Sequence, residues 1–265
     1  MRSKAFRFFV FRFRARSAYK LLQLDEEFNI LNDTVKRAVD LCAAPGSWSQ
    51  VLASLLLRIG ENATKIVSVD LQEMAPIEGV TTLQGDITSQ ATVEAILAAC
   101  GGELADLVVC DGAPDVTGLH DLDEYVQFQL LLSALNISSL LLRRGGTFVA
   151  KVFRGENIDL LVSKVRLFFT DGVWVAKPKS SRNSSIECFI VAKGFREIEE
   201  TESTAVSQAT RVDFLSCGDM NGWDADRNYS ISGGNAYVAP IQLPTNPAYR
   251  AALEEAGRGK WSVQQ

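Results

Sequence analysis

Val39-Asp-Leu-Cys-Ala-Ala-Pro-Gly46-Ser-Trp48 is the stretch on which the fold turns. Its front closes a short apolar run over residues 38–41. Its back opens an amphipathic helix over residues 47–57, with Trp48, Val51, Leu52 and Leu55 on one face. A buried run that passes through a turn of small residues into such a helix is the first unit of an alternating α/β sheet. Small residues in that turn let the main chain come close to a ligand. The turn is not G-x-G-x-x-G, which disfavours a dinucleotide pyrophosphate, and it lacks the GK[ST] of a P-loop.

Working outward, the alternation repeats. Residues 65–70, 81–84, 107–110 and 147–151 read as strands. Helices are expected over 89–99, with Thr88 or Ser89 as N-cap, and over 123–142 and 158–168. Strands over 173–176 and 186–192 follow each other with only a loop between them, so one of them is expected to run antiparallel. The expectation is a mostly parallel, Rossmann-like sheet with one antiparallel strand and helices on both faces. Ligands of such sheets bind at the carboxyl ends of the strands. Three acids fall there, Asp70, Asp86 and Asp111, together with the Gly46 turn.

One acid at a strand end is more often a cap or turn former than a ligand. Three of them beside a small-residue turn favour a nucleoside without phosphates. Asp70 can accept from both ribose hydroxyls and Asp86 from an adenine amino group. S-adenosylmethionine is such a ligand, and its sulfonium cation suits an acidic mouth. A second constellation is Asp111, Lys151 and Glu187. Lys151 stands in Phe148-Val-Ala-Lys-Val-Phe and Glu187 in Ile186-Glu-Cys-Phe-Ile-Val, both among apolar neighbours. Charged groups are rarely buried without partners. The plain reading is a buried ion pair. The sharper one is a lysine tuned by its neighbours to act as a general base.

Composition narrows the field. The 265 residues are 47% hydrophobic and 22% charged, which suits a full core and excludes disorder as the main state. No apolar stretch approaches the ~18–20 residues of a membrane helix. The five cysteines, Cys42, Cys100, Cys110, Cys188 and Cys217, form no CxxC pair, and His120 is the single histidine. Neither a disulfide framework nor a metal site is expected, and a reducing compartment fits. His120 reads as a loop residue without a catalytic role. Acid–base chemistry is left to Lys, Asp, Glu or Tyr. Arg2, Lys4, Arg7, Arg12, Arg14, Arg16 and Lys20 stand before the first acid, Asp25, and the rest of the chain holds 20 of the 27 basic residues and all 32 acidic ones. A basic arm on an acidic body can hold an anionic partner locally. An Arg-rich, acid-free start is also a trait of transit peptides, so a mitochondrial address stands beside a cytoplasmic one.

The ordered blocks resemble the FtsJ/RrmJ-type RNA 2′-O-ribose methyltransferases, and within them the eukaryotic branch that acts on the tRNA anticodon loop. They are Arg14-Ala-Arg-Ser-Ala-Tyr-Lys20, the Val39–Gln50 loop, Val69-Asp-Leu-Gln, Gln84-Gly-Asp-Ile-Thr, Cys110-Asp-Gly-Ala-Pro-Asp, Phe148-Val-Ala-Lys-Val-Phe-Arg-Gly and Lys177-Pro-Lys-Ser-Ser-Arg-Asn-Ser-Ser-Ile-Glu. Cys217-Gly-Asp-Met and Asp224-Ala-Asp-Arg-Asn-Tyr look like the tRNA branch. The resemblance implies a K-D-K-E tetrad at Lys20, Asp111, Lys151 and Glu187, with Lys151 as base. It implies S-adenosyl-L-methionine contacts at Gly46, Trp48, Asp70, Asp86 and Asp111. It also implies methylation of the wobble nucleotide, the nucleotide two positions 5′ of it, or both, with separate adaptor proteins choosing between them. An rRNA or mRNA-cap 2′-O-methyltransferase and a catalytically inactive RNA-binding subunit are the alternatives. Arg14, Arg16, Lys177, Lys179 and Arg182 are candidate phosphate contacts. The expected organisation is an atypical basic, Phe-rich start over 1–13, a methyltransferase domain over 14–196, and an irregular extension over 197–265 that wraps it, with a short helix near 247–256. Residues 1–13 depart from the family, whose members begin with a longer polar, basic helix.

Overall fold

The computed structural model describes residues 13–59, 64–114, 120–155, 158–182, 184–197 and 214–217. The runs of β-branched and apolar residues form the centre of the sheet. Strands β1 (Arg37–Leu41), β2 (Lys65–Asp70) and β4 (Ala105–Cys110) are buried along almost their whole length. Strands β3 (Val80–Gln84), β5 (Leu142–Phe153), β6 (Phe169–Pro178), β7 (Glu187–Phe195) and β8 (Phe214–Cys217) complete one eight-stranded sheet in the order β3-β2-β1-β4-β5-β7-β6-β8. Strands β1 to β5 pair in parallel, and β7 runs antiparallel to both β5 and β6. The expected architecture is therefore present, with β7 as the reversed strand.

The period of two along each strand divides the core. Val39 and Leu41 face one cluster, which holds Val93 and Ile96 of α3 (Gln90–Ala99), Leu131 and Ala134 of α4 (His120–Leu141), and Leu161 and Val165 of α5 (Ile158–Phe168). Ala38, Leu107 and Val109 face the other, with Leu21 and Leu24 of α1 (Ala18–Phe28) and Val51 and Leu52 of α2 (Ser47–Ile59). Both faces are thus covered by helices. No described helix is long and apolar enough to cross a membrane.

Several elements differ from the sequence reading. Helix α1 occupies part of what composition presents as a basic arm. It is placed by a buried stripe of Ala18, Leu21, Leu24 and Phe28, and ended by Asn29 in the left-handed region, whose N–H reaches the Asp25 carbonyl at 2.7 Å. His120 opens α4 instead of lying in a loop. Strand β5 begins at Leu142, so the Arg143–Gly146 segment expected to end a helix is already strand. Ser89 caps α3 in position, but its hydroxyl makes no capping bond. In the extension, residues 214–217 form β8, parallel to β6, where irregular chain was expected. The helix expected near 247–256 lies outside the described residues.

Candidate active site

The strand order reverses between β1 and β4, and the loops after these strands open the crevice where such sheets bind ligands. Into it project four charged side chains from four elements. Asp111 follows β4, Lys151 lies near the end of β5, Glu187 begins β7, and Lys20 comes from α1. Lys151 Nζ donates to Asp111 Oδ1 at 3.1 Å and to the Asp111 carbonyl at 3.1 Å, and stands 3.5 Å from Glu187 Oε2. Lys20 Nζ donates to the same Oε2 at 2.8 Å and lies 4.0 Å from Asp111 Oδ1. The four residues expected from the family blocks are brought together, and none of their side chains is more than 16% exposed.

Two cations and two anions in so little solvent balance in charge, yet the members are not equivalent. Burial disfavours the charged form of every member. For Lys151 the attraction of Asp111 and Glu187 outweighs burial, and its ammonium is held above the ordinary lysine range. For Glu187, burial is outweighed by Lys20 and Lys151, with help from Ser181, and its carboxyl lies below the ordinary value. For Asp111 burial wins over both lysines, and the carboxyl is pushed up. The two acids share the same lysines, but Lys20 sits 2.8 Å from Glu187 and 4.0 Å from Asp111. Asp111 is raised further by the like charge of Glu187.

Lys20 is seated by packing. Its Nζ lies 5.7 Å from the Phe189 ring centroid, and Phe189 packs at a tilt against Trp48 with centroids 5.5 Å apart. Trp48 is 2% exposed, and its indole N–H donates to the Ser17 carbonyl at 2.9 Å, which also accepts from the Lys20 N–H. The Trp48 side chain thus joins α2 to the start of α1.

The turn after β1 is closely built. Gly46 has φ +102°, and a Cβ there would stand 2.7 Å from Ile77 Cδ1. Asp70 lies beside this turn at the end of β2. Its Oδ2 accepts from the Ala44 N–H at 2.9 Å and its Oδ1 from the Gln72 N–H at 2.8 Å. Asp86 is exposed, and Thr88 donates to it through N–H and hydroxyl at 2.8 and 2.7 Å, which lowers its carboxyl below the usual range. Beneath the turn, Asp40 is fully buried. Its Oδ2 accepts from Ser49 Oγ at 2.6 Å, while Oδ1 has no hydrogen-bond partner among the described residues. Burial, then the nearby Asp111 and Asp70 charges against the Ser49 bond, push its carboxyl up to about 7.

Some of the machinery escaped the sequence reading. Gln127 of α4 is 1% exposed and donates to the Lys151 carbonyl at 3.0 Å and the Gly112 carbonyl at 3.2 Å, tying the loop of Asp111 to the strand of Lys151. An amide between Val126 and Phe128 in a Leu-rich helix was the available signal. Ser181 Oγ donates to Glu187 Oε1 at 2.7 Å. Two of the candidate phosphate contacts are spent internally. Arg14 donates through Nη1 to the Pro45 carbonyl at 2.8 Å and through Nη2 to the Pro76 carbonyl at 2.9 Å, so it clasps the Gly46 turn to the loop after β2. Lys177 donates to the carbonyls of Ser185 at 2.5 Å and Glu187 at 3.3 Å. Arg16 and Arg182 are exposed.

The chain is similar to known proteins. The model of the FtsJ-like methyltransferase family matches residues 13–195. The chain is 52% identical to a mouse tRNA (cytidine(32)/guanosine(34)-2′-O)-methyltransferase over 93% of its own length and 82% of the relative's. It is 51% identical to the Schizosaccharomyces pombe protein of the same name, covering 91% and 90% of the two chains. Among solved structures, a chain described as a ribosomal RNA methyltransferase of Plasmodium falciparum superposes with a TM-score of 0.60 at 28% identity, over 69% of this chain and 98% of that one. The matched span contains the strand-end turn, the sheet reversal and all four clustered charges, and the chain belongs to the FtsJ-like methyltransferase family.

Proposed function

We propose that this methyltransferase moves a methyl group from S-adenosylmethionine to ribose 2′-hydroxyls of the tRNA anticodon loop, at the wobble nucleotide, the nucleotide two positions 5′ of it, or both. The carrying observation is Lys151 Nζ held between Asp111 Oδ1 and Glu187 Oε2 at 3.1 and 3.5 Å, at the mouth of the crevice. An amine so placed can take the proton of a hydroxyl and pass it on, as a general base must. The names of the relatives, for cytidine 32 and guanosine 34, support the substrate.

The residues present fit the methyl donor. The Gly46 turn leaves no room for a Cβ, which suits close main-chain approach, and Asp70 stands beside it with lone pairs to spare for ribose hydroxyls. Asp40, Asp70 and Asp111 lie close enough for the last two to raise the first, an arrangement that favours a cationic ligand. When bound, the donor supplies an electrophilic methyl group. Lys151 accepts the 2′-proton, Asp111 and Glu187 hold the amine and the ribose in line, and Lys20 balances their charge. Much of the rate comes from that alignment.

Adaptor subunits that choose the nucleotide, and a cytoplasmic location, belong to the same proposal. The free state of all five cysteines supports a reducing compartment. The test supplies labelled donor to the protein with its adaptor, and anticodon stem–loops that carry a single 2′-deoxy substitution. Loss of label at one or both anticodon-loop positions is expected. Equal labelling of the deoxy substrates, or preference for ribosomal or capped RNA, overturns it. A tagged protein found shortened in mitochondria overturns the location.

A further inference from the structure

Glu187 divides the work of its two oxygens. Oε2 receives both lysines, Lys20 at 2.8 Å and Lys151 at 3.5 Å. Oε1 accepts from the hydroxyl of Ser181 at 2.7 Å. The terminal torsion of a glutamate is broad and roughly two-fold, so a carboxylate without a partner on one oxygen turns easily. Two ammonium groups on one oxygen therefore require something to hold the other. Ser181 is 2% exposed, so no water competes readily for its hydroxyl.

The position of Ser181 is itself over-determined. Its N–H donates to the Pro178 carbonyl at 2.9 Å, at the end of β6. The N–H of Ser180 donates to Gln23 Oε1 at 2.9 Å, and Gln23 lies on α1 one turn beyond Lys20. The N–H of Lys179 donates to the Cys217 carbonyl of β8 at 2.9 Å. Ser185 Oγ accepts from the Glu187 N–H at 3.2 Å, and Lys177 Nζ spans the carbonyls of both. The helix that carries Lys20, the loop that carries Ser181 and the strand that carries Glu187 form a closed ring.

We propose that Ser181 is a positioning residue for methyl transfer, holding the Glu187 carboxylate so that one oxygen serves Lys20 and Lys151 together. This rests on the reading of the four charges as the reacting centre. The loop between β6 and β7 is then part of the machinery, and β8 supports it from the extension.

The test compares Ser181→Ala, Ser181→Cys, Ser181→Thr, Glu187→Gln and the double variant Ser181→Ala/Glu187→Gln in the full chain with its adaptor. Single-turnover methyl transfer, calorimetric affinity for S-adenosylmethionine and the thermal midpoint are measured for each. Ser181→Ala is expected to slow transfer about tenfold, the scale of a hydrogen bond to a charged group, while affinity for the donor stays within about twofold. Ser181→Thr keeps the hydroxyl and restores the rate. Ser181→Cys, close in size and a weak donor, is slow at a wild-type thermal midpoint, and this decides the matter if the alanine variant folds poorly. The double variant is no slower than Glu187→Gln, because the hydroxyl acts only through the carboxylate. A wild-type rate in a folded Ser181→Ala or Ser181→Cys protein overturns the proposal, as does a double variant slower by the full alanine factor. A wild-type rate in Glu187→Gln removes the reacting centre itself, and the proposal with it.

Discussion

An acid stands at each end of strand β4, and the two are used in opposite ways. Asp106, near its start, accepts the N–H groups of Lys36 and Arg37 at 2.8 Å each on Oδ2, and the Arg143 guanidinium on Oδ1. Asp111, just past its end, faces the amines of Lys151 and Lys20 at 3.1 and 4.0 Å. Main-chain amides and guanidinium do not give up protons near neutrality, whereas ammonium groups can. The donors at Asp106 are largely set by the backbone. Those at Asp111 come on flexible stems, and their geometry has to be imposed by further contacts, from Gln127 above and Phe189 and Trp48 below. A working acid thus differs from a structural one in what faces it, although the two stand at the ends of one strand.

The largest expected effect breaks the exchangeable end. Lys151→Arg keeps the charge but cannot act as a base, so methyl transfer should fall by about 10²–10⁴-fold with donor and RNA binding near wild type. Single-turnover transfer checks it, and a variant that keeps most of the rate makes Lys151 a structural ion-pair lysine. Because Asp111 and Glu187 hold this ammonium above its ordinary range against the opposing pull of burial, the wild-type rate should climb with pH through the alkaline range.

Exchanging the two ends should exchange the phenotypes. Asp106→Ala leaves two amides and Arg143 without their acceptor, and should cost about 2–4 kcal/mol of stability, with the folded protein turning over normally. Asp111→Asn should do the reverse. Burial already disfavours the charged carboxylate there, so stability changes little while transfer collapses. Denaturant titration beside single-turnover kinetics separates the two, and parallel losses in both variants would erase the distinction between the ends.

The sheet was largely legible because its strands are short, β-branched and punctuated. Residues 65–70 were read with the bounds that β2 has, and the antiparallel strand followed from the short loop between β6 and β7. Helix α1 was less so. Its apolar stripe at Ala18, Leu21, Leu24 and Phe28 is plain in the structure, but seven basic residues before the first acid drew the reading toward a basic arm that holds an anionic partner. Strand β8 lies in a polar, turn-rich region and forms only by adding to an existing edge, which local pattern does not report. In the site, Asp111, Lys151 and Glu187 stood out as charges in apolar strands. Lys20 came from the family blocks alone, because its approach to Glu187 spans 167 residues. The internal bonds of Arg14 and Lys177 were not foreseen for a related reason. A basic side chain near an active site looks the same in sequence whether it meets a phosphate or a carbonyl.

A smaller effect concerns Asp40, the one fully buried acid of the crevice that faces no ammonium among the described contacts. Its folded carboxyl titrates near 7, above the roughly 3.9 of an unfolded Asp, so stability is present at low pH and is lost, by about 2–4 kcal/mol, as pH rises through that window. Glu187 has the opposite sign, its stabilisation being lost as pH falls below the ordinary carboxylate range. Asp40→Asn should therefore flatten the stability profile between about pH 4 and pH 7. An unchanged profile in denaturant titrations would mean that the carboxyl is ionised inside the fold.

The finest distinction is among the basic residues, where the same contrast between main-chain and exchangeable partners applies. Arg14 is engaged with the carbonyls of Pro45 and Pro76, whereas Arg16 and Arg182 are exposed. A residue that neutralises an RNA phosphate releases counterions, and its loss lowers the slope of log affinity against log salt by about 0.7–0.9. Arg16→Ala and Arg182→Ala should each show that decrement in tRNA binding, with affinity for the methyl donor unchanged. Arg14→Ala should leave the slope alone. It should instead weaken the donor by about 1–3 kcal/mol, because the Gly46 turn loses two charge-assisted bonds that fix its main chain. A flattened slope with unchanged donor affinity in Arg14→Ala would return Arg14 to the RNA surface. The clasp on the turn would then be a resting contact that yields when the substrate arrives.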